Sequence, residues 1–188
     1  MGRLPLKRLL AAYLDTDAAG VLLHEGTSGK PHLAHSAAQD QRLEFNWSHS
    51  GSWALVALAY GQPIGVDVER LGKKLRAKAI ARRFFDSSEA ATLDALEGDA
   101  CDRAFIGLWC AKEAVLKAVG EGLSFGLARL AFARHDMEWS LIHADAFLGE
   151  PAEWQLAGFE AAPDYRGALA WRGAGREVLA FDFAHGAP

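Results

Sequence analysis

Ile64-Gly65-Val66-Asp67-Val68-Glu69 is the stretch on which the fold turns. Its alternation with period two reads as a β-strand, because successive side chains of an extended chain point to opposite faces. Ile64, Val66 and Val68 form one apolar face, and Gly65, Asp67 and Glu69 the other, so two carboxylates look the same way. Oxygen-only ligands of this kind favour Mg²⁺ or Mn²⁺ over zinc. The same alternation is also the ordinary wet face of a half-buried strand, so the pair needs support from elsewhere in the chain.

Upstream, Gly61-Gln62-Pro63 ends an earlier strand, Trp53 to Tyr60, whose apolar residues on both faces predict burial. Another strand starts at Phe45 and is interrupted at Ser50-Gly51-Ser52. Gly26 to Ala38, punctuated by Gly26, Gly29 and Pro31, reads as loop, and Leu6, Leu9, Leu10 and Tyr13 predict a short amphipathic helix over Pro5 to Tyr13. Downstream, the pattern between Leu71 and Leu96 is helical. Asp86-Ser87-Ser88-Glu89 there has the form of a capping box, with Asp86 as N-cap. Arg103 to Val119 is the longest predicted helix, stopped by Gly120 and Gly122. Beyond it, strands are predicted around Glu138 to Ile142, Gly167 to Trp171 and Glu177 to Phe183, with Trp139, Trp154 and Trp171 as core or sheet-face aromatics.

Composition narrows the function classes. The chain has 188 residues, 51% of them hydrophobic, enough for one well-buried domain or two small halves. A net charge of −4 provides no general basic field for a nucleic-acid backbone, and the clusters Lys73–Lys74 and Arg82–Arg83 read as solvated faces. Two cysteines, Cys101 and Cys110, make neither a disulfide framework nor a zinc pattern, which fits a reducing cytoplasm. No stretch approaches the roughly 20 apolar residues of a membrane span.

Three further groups carry potential chemistry. Glu113 and Lys117 stand at i and i+4 on the long helix and share a face, with Lys112 beside them. Charges on so apolar a helix are candidates for a cleft, where a third carboxylate, a metal ion and an ammonium would suit a phosphate reaction. Phe45-Asn46-Trp47-Ser48-His49-Ser50-Gly51 sets hydroxyls and an imidazole at a turn that can offer anion-binding donors, although adjacent Ser48 and His49 diverge and form no triad. Lys30, between Gly29 and Pro31, is a point charge on a glycine-hinged segment that could meet a phosphate.

In chain order, Gly29-Lys30-Pro31, Asn46-Trp47-Ser48-His49-Ser50, Gly65-Val66-Asp67-Val68-Glu69 and Trp109-Cys110-Ala111-Lys112-Glu113-Ala114 with Lys117 resemble the motifs of the Sfp-type 4′-phosphopantetheinyl transferases. Arg83-Phe84-Phe85 followed by Glu89 is similar to the family's segment between the last two motifs. The resemblance runs from about Leu6 to the end and is strongest from Gly29 to Gly122. It implies an α+β fold of two similar α/β halves about a pseudo-twofold axis, with coenzyme A between them and a seam near Pro63. Residues 1–62 would be a shortened N-terminal half and residues 63–188 the C-terminal half carrying the metal site. The first strand and helix of the N-terminal half, with nucleotide-binding basic residues, would be missing, through a late start or a natural short form.

The implied activity moves the phosphopantetheine arm of coenzyme A onto a serine of an apo acyl, polyketide or peptidyl carrier protein. By resemblance, Asp67, Glu69 and Glu113 hold Mg²⁺, with Mn²⁺ possible, and Glu113 or a metal-bound water accepts the serine proton. Lys117 stabilises the leaving phosphate, and Lys30, Ser48, His49, Asp67 and Lys112 complete the coenzyme A contacts, His49 at the 3′-phosphate. Glu69 as third acidic position favours this type over the small trimeric one, and two fused halves imply a monomer. A Mg²⁺-dependent phosphohydrolase and a non-catalytic carrier-binding relative are the competing readings of the same residues.

Overall fold

A computed structural model describes residues 3–26, 29–34, 43–72 and 76–182. The Lys73–Lys74 cluster lies outside them. Helix α1 (Arg3–Leu14) precedes a small hairpin of β1 (Leu23–Glu25) and β2 (Pro31–Leu33), then the hairpin of β3 (Leu43–Ser50) and β4 (Trp53–Tyr60). Strand β5 (Ile64–Arg70) leads into α2 (Ala77–Phe84), α3 (Ser87–Asp94) and α4 (Gly98–Val119). The chain ends in β6 (Leu130–His135), β7 (Glu138–Ala144), β8 (Trp154–Ala162) and β9 (Tyr165–Arg172). The mixture of helices and antiparallel ladders is an α+β fold.

The expected strand at Ile64–Glu69 is β5, at one edge of a three-stranded antiparallel sheet ordered β5-β9-β8. On its other side lies β3, joined to it by side chains rather than by a backbone ladder. Asn46 Oδ1 accepts from Val66 N at 2.9 Å, Ser48 Oγ donates to Asp67 Oδ1 at 2.7 Å, and Ser50 Oγ donates to Glu69 Oε2 at 2.8 Å. Positions 46, 48 and 50 share one strand face, which is why all three reach β5.

Helix α4 packs across β5 and β9. The contact is close because Gly65 has no side chain: a Cβ there would stand 1.9 Å from Ala114 O and 2.5 Å from Ala118 N. Gly120 ends the helix in the left-handed region at φ 79°, its N–H returning to Leu116 O and Lys117 O. The main core gathers Phe85, Phe105, Leu108, Leu116, Leu130 and Phe132 around α4, and a separate cluster of Leu6, Leu10, Val21, Leu33, Leu43 and Phe45 sits under α1. Trp139, Trp154 and Trp171 are buried, each indole N–H satisfied by a backbone carbonyl.

Several sequence expectations are corrected. β4 is half-buried rather than buried, with Trp53 and Tyr60 exposed, because it forms the outer strand of a two-stranded ladder. Part of the expected loop Gly26 to Ala38 pairs as β2 against β1, and residues 35–38 lie outside the described ones. The expected strand Glu177 to Phe183 has no regular structure up to Asp182, and Val178, Leu179 and Phe181 are exposed. An apolar run becomes a strand only where a neighbouring edge takes its hydrogen bonds.

Candidate active site

Asp67 and Glu69 leave β5 on the face that carries Gly65, toward α4. From α4, residues 110, 113 and 117 project back at intervals of three and four, the spacing of one helical face. Lys117 Nζ stands 2.6 Å from Asp67 Oδ1 and 3.0 Å from Ser48 Oγ, so one carboxylate oxygen takes both an ammonium and a hydroxyl. The other oxygen, Asp67 Oδ2, is buried without a hydrogen-bond partner, and so is Glu113 Oε1. Burial pushes the Glu113 carboxyl up, and repulsion from Asp67 and Glu69 adds to that against the pull of Lys117.

Buried acceptors are normally satisfied, so two orphaned oxygens on carboxylates that repel each other are a deficit that a cation would fill. Hard oxygen donors with this charge fit Mg²⁺ or Mn²⁺. Among the described residues no three ligand side chains are already gathered at metal-ligand geometry. The fit therefore rests on the two unpartnered oxygens and the donor chemistry.

Residues 63–170 match the family model described as the 4′-phosphopantetheinyl transferase superfamily, and residues 1–60 match the model of a 4′-phosphopantetheinyl transferase N-terminal region. The chain belongs to the 4′-phosphopantetheinyl transferase superfamily. Among its relatives, a 4′-phosphopantetheinyl transferase of Bacillus subtilis is 31% identical over 173 residues, 88% of this chain and 74% of its own length. A Synechocystis sp. relative is 39% identical over 125 residues, 66% of this chain and 50% of its own length. The transferase HetI of Nostoc sp. is 36% identical over 123 residues, 65% of this chain and 52% of its own. The chain thus spans about half the length of the latter two.

Within this family's motifs the structure separates residues that the sequence groups together. Ser48 is buried against Asp67 and Lys117, whereas His49 is exposed on the opposite face of β3, stacked on Trp47 at 5.4 Å. Lys30 lies at the far end of β5, where its ammonium donates to Lys117 O at 2.6 Å, Ala118 O at 3.3 Å and Ile64 O at 3.5 Å. Its three N–H groups are therefore taken by backbone carbonyls rather than offered to a phosphate, and burial pushes its ammonium down. Clefts of about 720 and 410 Å³ flank Pro63, Ala118 and Val119 at this end, and neither is lined by Asp67, Glu69 or Glu113.

Lys112 is the clearest correction. Expected at coenzyme A, it is fully buried on another face of α4 and paired with Glu89 at 2.8 Å. An ammonium sealed from solvent cannot contact a substrate phosphate.

Three neighbours of the site, Asn46, Ser50 and Cys110, stand within the sequence motifs but receive no individual role from them. Asn46 and Ser50 carry the clearest missed signal, polar residues at i and i+4 around Ser48 on an apolar strand. Cys110 is fully buried with its thiol 3.5 Å from Arg166 O, and burial, then the Asp67 charge, push it well up, so it is no nucleophile. Only its i−3 spacing from Glu113 hinted at this location.

Proposed function

We propose that the chain transfers the 4′-phosphopantetheine arm of coenzyme A to a serine hydroxyl of a carrier protein and releases adenosine 3′,5′-bisphosphate, with Mg²⁺, or Mn²⁺ in its place. The observation that carries this reading is the pair of buried, unpartnered oxygens Asp67 Oδ2 and Glu113 Oε1 within residues that match the family. Asp67, Glu69 and Glu113 are the residues that would hold the ion. When bound, it neutralises and orients the pyrophosphate.

The chain's own groups supply the rest. Lys117, beside Asp67, offsets negative charge as the bisphosphate leaves. Glu113, whose proton affinity is raised by burial and by Asp67, suits the role of acceptor for the serine proton. Ser48 holds one Asp67 oxygen in place, and exposed His49 is the contact for the 3′-phosphate. Lys30 acts through the carboxyl end of α4. The setting implied is a cytoplasmic monomer. Among the described residues no helix is long and apolar enough to cross a membrane.

Intact-mass spectrometry of an apo carrier protein, incubated with the protein, coenzyme A and Mg²⁺, tests the reading. One phosphopantetheine group should be added, and the gain should vanish in Asp67→Ala, in Glu113→Ala and with chelator. Cleavage of coenzyme A without carrier modification would instead indicate a phosphohydrolase. Carrier binding that survives both substitutions, with no mass gain from several carriers, would indicate a non-catalytic module.

A further inference from the structure

Lys112 and Glu89 form an ion pair in which both side chains are 0% exposed. The ammonium also donates to Leu127 O at 2.8 Å and Leu130 O at 2.5 Å, and lies 5.0 and 5.3 Å from the ring centroids of Phe85 and Phe132. Glu89 Oε1 accepts from Phe132 N at 2.8 Å, and Oε2 from Asp86 N at 3.0 Å. Three separate pieces of chain therefore meet on one lysine: the first turn of α3, the middle of α4, and the segment that enters β6. Nothing in this network is left for a ligand.

A buried ion pair is weak support for stability, because apolar side chains of the same volume often do as well. What it has and they lack is direction. Successive helical residues are about 100° apart, so Lys112, held toward α3 and β6, determines where Glu113 points. The opposite side of the helix is seated on Gly65, where a Cβ would meet Ala114 O at 1.9 Å. Gly65 thus sets the distance from α4 to β5, and Lys112, with the apolar face around Phe105, Leu108 and Leu116, holds the helix against rotation about its own axis. A carboxylate that must share an ion with a group on another element has to be held within about 0.5 Å.

We propose that the Lys112–Glu89 pair is a positioning device that aims the Glu113 carboxyl at Asp67, an inference that rests on the metal reading above. Lys112 takes no part in contacting coenzyme A.

The test is Mn²⁺ binding to the full chain, followed by electron paramagnetic resonance with no substrate present. The double variant Lys112→Met/Glu89→Gln keeps the core neutral and retains an acceptor for Phe132 N. We expect it to fold cooperatively, to melt below the wild type because Leu127 O and Leu130 O lose their donor, and to bind Mn²⁺ about tenfold more weakly, as loss of an orienting partner does at metal sites. Wild-type Mn²⁺ affinity in the folded double variant would overturn the inference, since a purely structural pair alters melting and not the affinity of the folded protein. Weakened coenzyme A binding in chelator with unchanged Mn²⁺ affinity would overturn it too, returning Lys112 to a substrate contact. If the double variant does not fold, Glu89→Gln alone, with Lys112 retained, must still weaken Mn²⁺ by a smaller factor, and no change there counts against the proposal. Absence of Mn²⁺ binding by the wild type would remove the metal reading and this inference with it, a result distinct from wild-type binding that the variants leave untouched.

Discussion

Two lysines of α4 stand five residues apart and meet opposite surroundings. Lys112 is sealed, with every polar atom around it partnered: Glu89, two carbonyls, and through Glu89 the Phe132 and Asp86 amides. Lys117 is 26% exposed, and the carboxylate it holds keeps one buried oxygen without a hydrogen-bond partner, as Glu113 does. Both are lysine–carboxylate pairs at under 3 Å, so the ion pair as such does not distinguish framework from site. The completeness of the surrounding hydrogen bonds does. A closed network has nothing left to bind, whereas an open one carries a deficit that a ligand can fill.

The largest expected effect lies on the closed side. Lys112→Met alone leaves the Glu89 charge buried without a counter-ion, and chemical denaturation should show a loss of about 3–5 kcal/mol. Lys117→Met, nearer solvent, should cost less, and equal losses would break the distinction. Next comes the surface that holds the open site together. Gly65→Ala forces a methyl into the space of Ala114 O and Ala118 N, and overpacking of this kind costs about 1–3 kcal/mol. It should also weaken metal binding, because α4 must move off β5. Full stability together with undiminished Mn²⁺ affinity would show that the close approach is dispensable.

The smallest effect has the opposite sign. Burial, then the Asp67 charge, raise the Glu113 carboxyl, so between the ordinary carboxylate range and that raised value the folded state binds the proton more tightly than the unfolded state. In metal-free protein, stability therefore falls as pH rises through this window. Glu113→Gln removes the strain and should melt a few degrees above wild type in chelator at about pH 8, with the difference fading toward about pH 4. A variant that melts below wild type at the higher pH would show that Glu113 is well accommodated without an ion.

What could be read from the chain was local. The period of Ile64–Glu69, the long helix with its glycine stop, and the Asp86–Glu89 capping box all depend on residues within a few positions, and all three are present. The capping box shows where that legibility stops. Glu89 does return to Asp86 N, yet its other oxygen serves Lys112, 23 positions away. Strands β6 and β8 were not marked, since neither alternates cleanly and each takes its identity from a partner strand. The apolar tail after Gly175 erred the other way, reading as a strand but finding no edge to join.

That Asp67 and Glu69 share a face was in reach of strand periodicity, because side-chain direction along a regular element follows from spacing alone, and their grouping with Glu113 came from the family resemblance. Which of two neighbouring lysines faces that trio was in reach of neither. Lys112 and Lys117 lie on the same helix among the same kinds of residue, and their fates are settled by Glu89 on α3, Ser48 on β3 and the missing side chain of Gly65. Burial and pairing are properties of contact between distant segments, so they exist only once the chain has folded.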